Sequence, residues 1–151
     1  MGFQILKHYG AVKIGYGDYT VQINKMQWYE NNPKFDLRVW SPDQIPCNGF
    51  TLTSDELFHL NAILAKELVN DSPKPEVIYV KYDNQFSTKE ALVLEHYGKI
   101  PSKHDWPIEV SLTQMGSETK FDIRRWEARH SNYAAGVRFF NDEWETFKAL
   151  L

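Results

Sequence analysis

The chain writes one seven-residue word twice, as KFDLRVW at 34–40 and as KFDIRRW at 120–126. An internal repeat restricts a fold more than composition does, because two copies of one pattern are expected to adopt one structure twice. The repetition reaches well beyond the word. FQILKHYG (3–10) lies on ALVLEHYG (91–98), YTVQINKMQW (19–28) on WPIEVSLTQM (106–115), and GFTLTSDELFHL (49–60) on GVRFFNDEWETF (136–147). The blocks keep their order while the offset drifts only between 86 and 88 residues. This reads as a duplicated unit of about 60 residues. It divides the chain into a first copy at 1–71, a connector at 72–89 and a second copy at 90–151.

Each copy predicts four strands and a helix. Segments 3–9, 19–28, 34–40 and 49–52 are rich in β-branched and aromatic residues and are separated by Gly-Tyr-Gly-Asp, Asn-Asn-Pro and Pro-Cys-Asn-Gly, all turn chemistry. Thr53-Ser54-Asp55-Glu56 has the form of a capping box, and Leu57, Leu60, Ile63, Leu64 and Leu68 follow as one apolar stripe at helical spacing. In the second copy Asn141 is the expected cap, and Trp144, Phe147, Leu150 and Leu151 continue the stripe. The fold class is therefore α+β: two β-β-β-β-α repeats, each a twisted antiparallel sheet with a C-terminal helix. A helix stripe exposed by one unit needs a partner, which the other unit supplies, so the expected arrangement is an intramolecular pseudo-dimer. The connector opens on two prolines, and its VIYVKY core can form an extra strand.

Side chains alternate across a strand, so Phe35, Leu37 and Val39 share one side while Lys34, Asp36, Arg38 and Trp40 share the other. The second copy places Lys120, Asp122, Arg124 and Trp126 in the same way. Two readings of that outer side stand. In the first, the indoles stack on nucleic-acid bases and the cations hold phosphates, with stacking worth about 1–3 kcal/mol per base. In the second, Trp40 and Trp126 cover a core edge while Arg38 and Arg124 pair with Asp36 and Asp122. Trp28 and Lys25 lie on the preceding strand, where alternation becomes ambiguous near Asn24. Arg138 falls between Val137 and Phe139 and so faces outward with Arg124; Arg125 and Arg129 add positive charge nearby. The candidate nucleic-acid contacts are Lys25, Trp28, Lys34, Arg38, Trp40, Lys120, Arg124, Trp126 and Arg138.

The net charge of −3 argues against a general polyanion binder, but Asp55, Glu56, Glu143 and Glu145 belong to the expected helices, so a local basic groove is compatible with it. The single cysteine, Cys47, has no disulfide partner and no counterpart in the second copy. The five histidines show no metal-ligand spacing, and no glycine-rich phosphate loop or nucleophile elbow is present. The expectation is a non-enzyme without cofactor or metal. With no apolar run of about 18 residues and no basic-then-apolar start, the sequence implies a soluble, cytoplasmic protein without membrane contact.

KFDLRVWSPD, followed after a short loop by GFTLTSDEL and an amphipathic helix, resembles the positive cofactor 4 family of transcriptional coactivators, particularly its short bacterial members. The resemblance covers about 65 residues of the first copy, by the extent of the duplicated unit. The second copy keeps KFDIRRW and Gly136 but lacks the SPD and TLT elements, and Met115 stands where Trp28 does. The resemblance implies a β-β-β-β-α unit that pairs through its helices and binds single-stranded DNA with little sequence preference. It assigns the contacts to Trp28, Lys34, Arg38 and Trp40. The expected partner is single-stranded DNA or RNA, in a nucleoid-associated setting if the host is bacterial; transcription or replication proteins, recognised through the same aromatic face, are the alternative. The chain is expected to act as a monomeric pseudo-dimer, with further oligomerisation left open.

Overall fold

The computed structural model describes residues 2–15, 17–81 and 88–151, so Tyr16 of the first turn and residues 82–87 of the connector lie outside the described residues. The elements are β1 (Phe3–Lys13), β2 (Thr20–Trp28), β3 (Lys34–Trp40), β4 (Pro46–Leu52), α1 (Ser54–Leu64), β5 (Glu76–Lys81), β6 (Thr88–Lys99), β7 (Ile108–Met115), β8 (Glu118–Trp126), β9 (Tyr133–Phe139) and α2 (Asn141–Leu150). They make an α+β fold with two antiparallel sheets, one of four strands in the order β1-β2-β3-β4 and one of five in the order β5-β6-β7-β8-β9. The connector does supply a strand, β5, which extends the second sheet beyond β6. No described helix is long and apolar enough to cross a membrane.

The capping box forms as the sequence predicts. The Glu56 amide donates to Thr53 Oγ1 at 3.1 Å, and the Thr53 amide donates to Glu56 Oε1 at 2.9 Å. At α2 the expectation shifts by one residue: Phe140 is the N-cap and Asn141 the first helical residue. Only half a box remains there, the Phe140 amide donating to Glu143 Oε1 at 2.8 Å. A phenyl ring has no oxygen to return the bond, and the Glu143 carboxylate near the positive helix end compensates in part.

One core runs between the sheets. Val21, Ile23 and Leu37 from the first pack with Ile108, Val110 and Ile123 from the second, joined by Leu60 and Leu64 of α1 and by Trp144 and Phe147 of α2. Each such side chain contributes roughly 1.5–3 kcal/mol when fully buried. The helices reach across. A Cβ on Gly10 of β1 would lie 3.0 Å from Leu150 of α2, and one on Gly98 of β6 would lie 3.0 Å from Ile63 of α1. The repeated His-Tyr-Gly thus marks two places where a helix side chain closely approaches the strand backbone.

The strands are bent at matching places. Register shifts interrupt β1 against β2 between Ile5 and Lys7 and between His8 and Gly10, and interrupt β6 against β7 between Val93 and Glu95 and between His96 and Gly98. Further shifts lie between Arg38 and Trp40 and between Arg124 and Trp126. Extra residues on one strand bend it and strengthen its twist. The result is a strong curl. Phe3 pairs with Trp28 at one end of β2 and Trp40 with Thr20 at the other, yet the Phe3 and Trp40 rings come within 5.7 Å. The sheet side turned away from the helices is therefore folded over itself instead of lying open.

Candidate nucleic-acid interface

The nine candidate residues separate into two clusters and one outlier. In the first cluster a buried carboxylate, Asp36, organises its neighbours: Arg38 donates through Nε and Nη2 at 2.6 and 2.8 Å, and Trp28 Nε1 donates at 3.0 Å. The remaining Arg38 nitrogen, Nη1, donates to the Cys47 carbonyl at 3.1 Å, and the guanidinium lies 4.7 Å from the Trp28 ring centroid. Such planar, charge-assisted pairing holds an arginine rigidly. Gly49 is what lets β4 pass so closely over Arg38, since a side chain there would overlap the Arg38 Cβ. Lys34, at the start of β3, is exposed and carries no ion pair among the described residues.

The second cluster repeats this with an extra cation. Asp122 accepts from Arg124 Nε at 2.7 Å and from Thr113 Oγ1 at 3.1 Å, and Arg138 Nε lies 3.3 Å from its other oxygen. Burial pushes the Arg138 guanidinium below its ordinary pKa, while Asp122 opposes that shift and Arg124 adds to it. Lys120 pairs with Glu118 at 3.1 Å and rests 4.3 Å from the Phe140 ring.

Two expectations need correction. Trp40 and Trp126 are 1% and 0% exposed, so neither offers a face to a base. Trp40 is covered by Phe3, and Trp126 sits in a separate apolar cluster with Ile78, Val80, Ala91, Val93 and Tyr133. The cause is the curl, which buries the outer side of both strands and, in the second sheet, makes of it a small second core. For these indoles and for the Arg38 and Arg124 pairs, the geometry matches the structural reading. A protein partner on that same aromatic face meets the same obstacle. Lys25 is the outlier: β2 stays in regular register with β3 through Asn24, and Lys25 reaches the Phe35 ring at 5.7 Å, on the side of the main core. Arg125 is not a surface cation either. It donates to both Glu56 oxygens, at 2.9 and 3.0 Å, and to the Thr51 carbonyl at 3.0 Å.

Space remains beside the first cluster. A cavity of about 1090 Å³ lies along β3, β4 and the start of α1; its lining includes Lys34, Arg38, Asp55, Glu56, Lys103 and His104. Its counterpart beside Lys120, Arg124 and Arg138 is smaller, about 420 Å³.

One constellation escaped the sequence reading. His96 on β6 and His130 after β8 share the buried Glu109, their Nε2 atoms lying 2.7 and 2.9 Å from Oε1. Their Nδ1 atoms meet Asp71 at 2.6 Å and Glu76 at 2.8 Å, so the run Asp71, His96, Glu109, His130, Glu76 ties the end of the first copy and the connector to the second sheet. Among the described residues no group of three or more such side chains has the geometry to hold a metal ion. Glu109 chiefly raises the His130 pKa, against burial and with help from Glu76, to about 9; His96 is raised in the same way by Glu109 and Asp71. Both imidazoles bind their protons more tightly folded than unfolded, so their contribution is complete below pH 6.5; that of His130 is lost as pH rises through about 9, and that of His96 is lost as pH rises through its own raised value. Urea midpoints measured across that window are expected to fall, and Glu109→Gln is expected to flatten the fall; an unchanged slope in the variant would count against the shared carboxylate as its origin.

No family model matches the chain, and no solved structure matches it. An uncharacterized protein of Treponema pallidum (strain Nichols) is 25% identical to it over 63 residues, which make up 41% of this chain and 74% of that protein.

Proposed function

We propose that the chain binds single-stranded nucleic acid with little sequence preference, in the cavity beside Lys34 and Arg38. The reading rests on one observation: the largest cavity described, about 1090 Å³, brings Lys34 and Arg38 of β3 together with Lys103 of the segment before β7, with Asp55 and Glu56 at the start of α1 also in its lining. A groove of that kind follows a phosphate backbone, and the half-buried Trp28, whose ring lies 4.7 Å from the Arg38 guanidinium, is the indole we assign to stacking. Trp40, 1% exposed, makes no contact of its own with the strand. In this proposal the two β-β-β-β-α units form an intramolecular pseudo-dimer, as the exchanged helices and the shared core suggest, and the groove lies where the units meet. A relative little longer than its matched stretch fits a one-unit ancestor of the duplicated chain. The likeness of KFDLRVWSPD and GFTLTSDEL to the positive cofactor 4 family supports the same reading, with transcription, replication or repair as the setting.

Tryptophan fluorescence with a short oligothymidine, repeated at rising salt, is the test. Binding is expected to quench Trp28 and to weaken with a log-log slope of about −0.7 per phosphate neutralised. Lys34→Ala should make that slope shallower by about 0.7, the share of one phosphate. A chain that shows no quenching and no salt-dependent binding at low ionic strength does not have this function.

A further inference from the structure

The two copies differ in what closes their curled faces. In the first copy the space over Trp40 is filled by Phe3, whose ring also lies 5.3 Å from Trp28. The repeat places Ala91 at the position of Phe3 and Met115 at that of Trp28. Two large rings are thus replaced by a methyl group and a thioether. The lost volume is made good by β5: Ile78 and Val80, 4% and 3% exposed, pack against Trp126 and Tyr133, while Val77 and Tyr79 on the alternate side face solvent. β5 pairs along β6 from Glu76 opposite Val93 to Lys81 opposite Thr88. It is held in place from the side as well, because Glu76 at its start bonds to His130 and Asp71, the last residue of the first copy, bonds to His96. The Asp71 amide also donates to the His96 carbonyl at 2.8 Å. No strand pairs with the outer edge of β1, which corresponds to β6, among the described residues.

We infer that β5 is a built-in occupant of the second copy's face, and that the chain consequently binds one nucleic-acid strand, in the first groove alone. The inference rests on the nucleic-acid reading and specifies its stoichiometry and site. A strand that is covalently part of the chain competes at a high effective concentration with any ligand in solution, so Ile78 and Val80 exclude one without having to bind tightly. The space beside Lys120, about 420 Å³ against about 1090 Å³ beside Lys34, is lined by Met115 and Tyr133, the residues that pack with Ile78 and Val80 of β5.

Native mass spectrometry of the full chain with a short oligothymidine reads the number of strands bound, and salt titrations of Lys34→Ala and Lys120→Ala read where they bind. The expected result is one strand per chain, a shallower salt slope for Lys34→Ala and an unchanged slope for Lys120→Ala. Two strands per chain, or equal loss of slope in both variants, overturns the inference and leaves the nucleic-acid reading standing. A wild-type chain that binds no oligothymidine at low salt overturns that reading and this inference with it.

Discussion

Trp126→Ala is expected to destabilise the protein by about 3–5 kcal/mol, the range for removing a fully buried large aromatic side chain. The ring is 0% exposed and lies 5.0 Å from His130 and 5.2 Å from Tyr133, with Ile78 and Val80 in the same cluster. Its indole nitrogen has no hydrogen-bond partner among the described residues, so the loss arises from the void and from lost contacts, not from a broken polar network. Because domains are typically stable by only about 5–15 kcal/mol, one such change removes a large share of the total. Trp40→Ala, at 1% exposure, should behave similarly. Trp28→Ala, half-buried at a sheet end, should cost less while weakening oligothymidine binding more. Urea unfolding followed by far-ultraviolet circular dichroism separates the cases. A loss below about 1 kcal/mol for Trp126→Ala would place this indole outside any packed core.

Arg125→Met is the second large effect, again about 3–5 kcal/mol, because it strands a buried carboxylate without its partner. Arg125 and Glu56 side chains are 9% and 5% exposed, and Ser102 Oγ adds a bond to Glu56 Oε2 at 2.7 Å. Burial works to raise the Glu56 pKa, but Arg125, the Thr53 amide and Ser102 together hold it down at about 2. A folded pKa below the ordinary 4.5 means that the group stabilises the protein above that value and loses its contribution as pH falls towards 2. Glu56→Gln keeps an acceptor for the Thr53 amide while removing the charge, so the double variant Arg125→Met, Glu56→Gln is expected to recover most of the single-variant loss. Additive losses in the double variant would show that the two side chains are not coupled.

Much of the local structure was legible. The strands at 34–40 and 19–28, the Thr53 capping box and the extra strand in VIYVKY all follow from short-range rules: alternation, turn residues and cap chemistry act within a few positions. The second helix start was displaced by one residue because Asn141 looked like a cap on composition alone. Alternation also placed Arg38 and Trp40 on the correct strand side. It said nothing of what covers that side. Whether Trp40 lies in water or under Phe3 depends on bulges in β1, and a bulge leaves little trace in a single sequence beyond the His-Tyr-Gly that accompanies it here.

The pairings that matter most for stability were beyond short-range rules. Glu56 and Arg125 are 69 positions apart, and Asp71, His96, Glu109 and His130 come from four separate segments. In the sequence Glu56 is a capping acid and Arg125 one more cation of a basic stretch; only their burial together makes them a bridge. Residue order therefore decided the strands and the helices, since these depend on neighbours along the chain. The three-dimensional packing decided which tryptophans are sealed, which cations are neutralised and which groove stays open, since burial and charge pairing depend on neighbours in space.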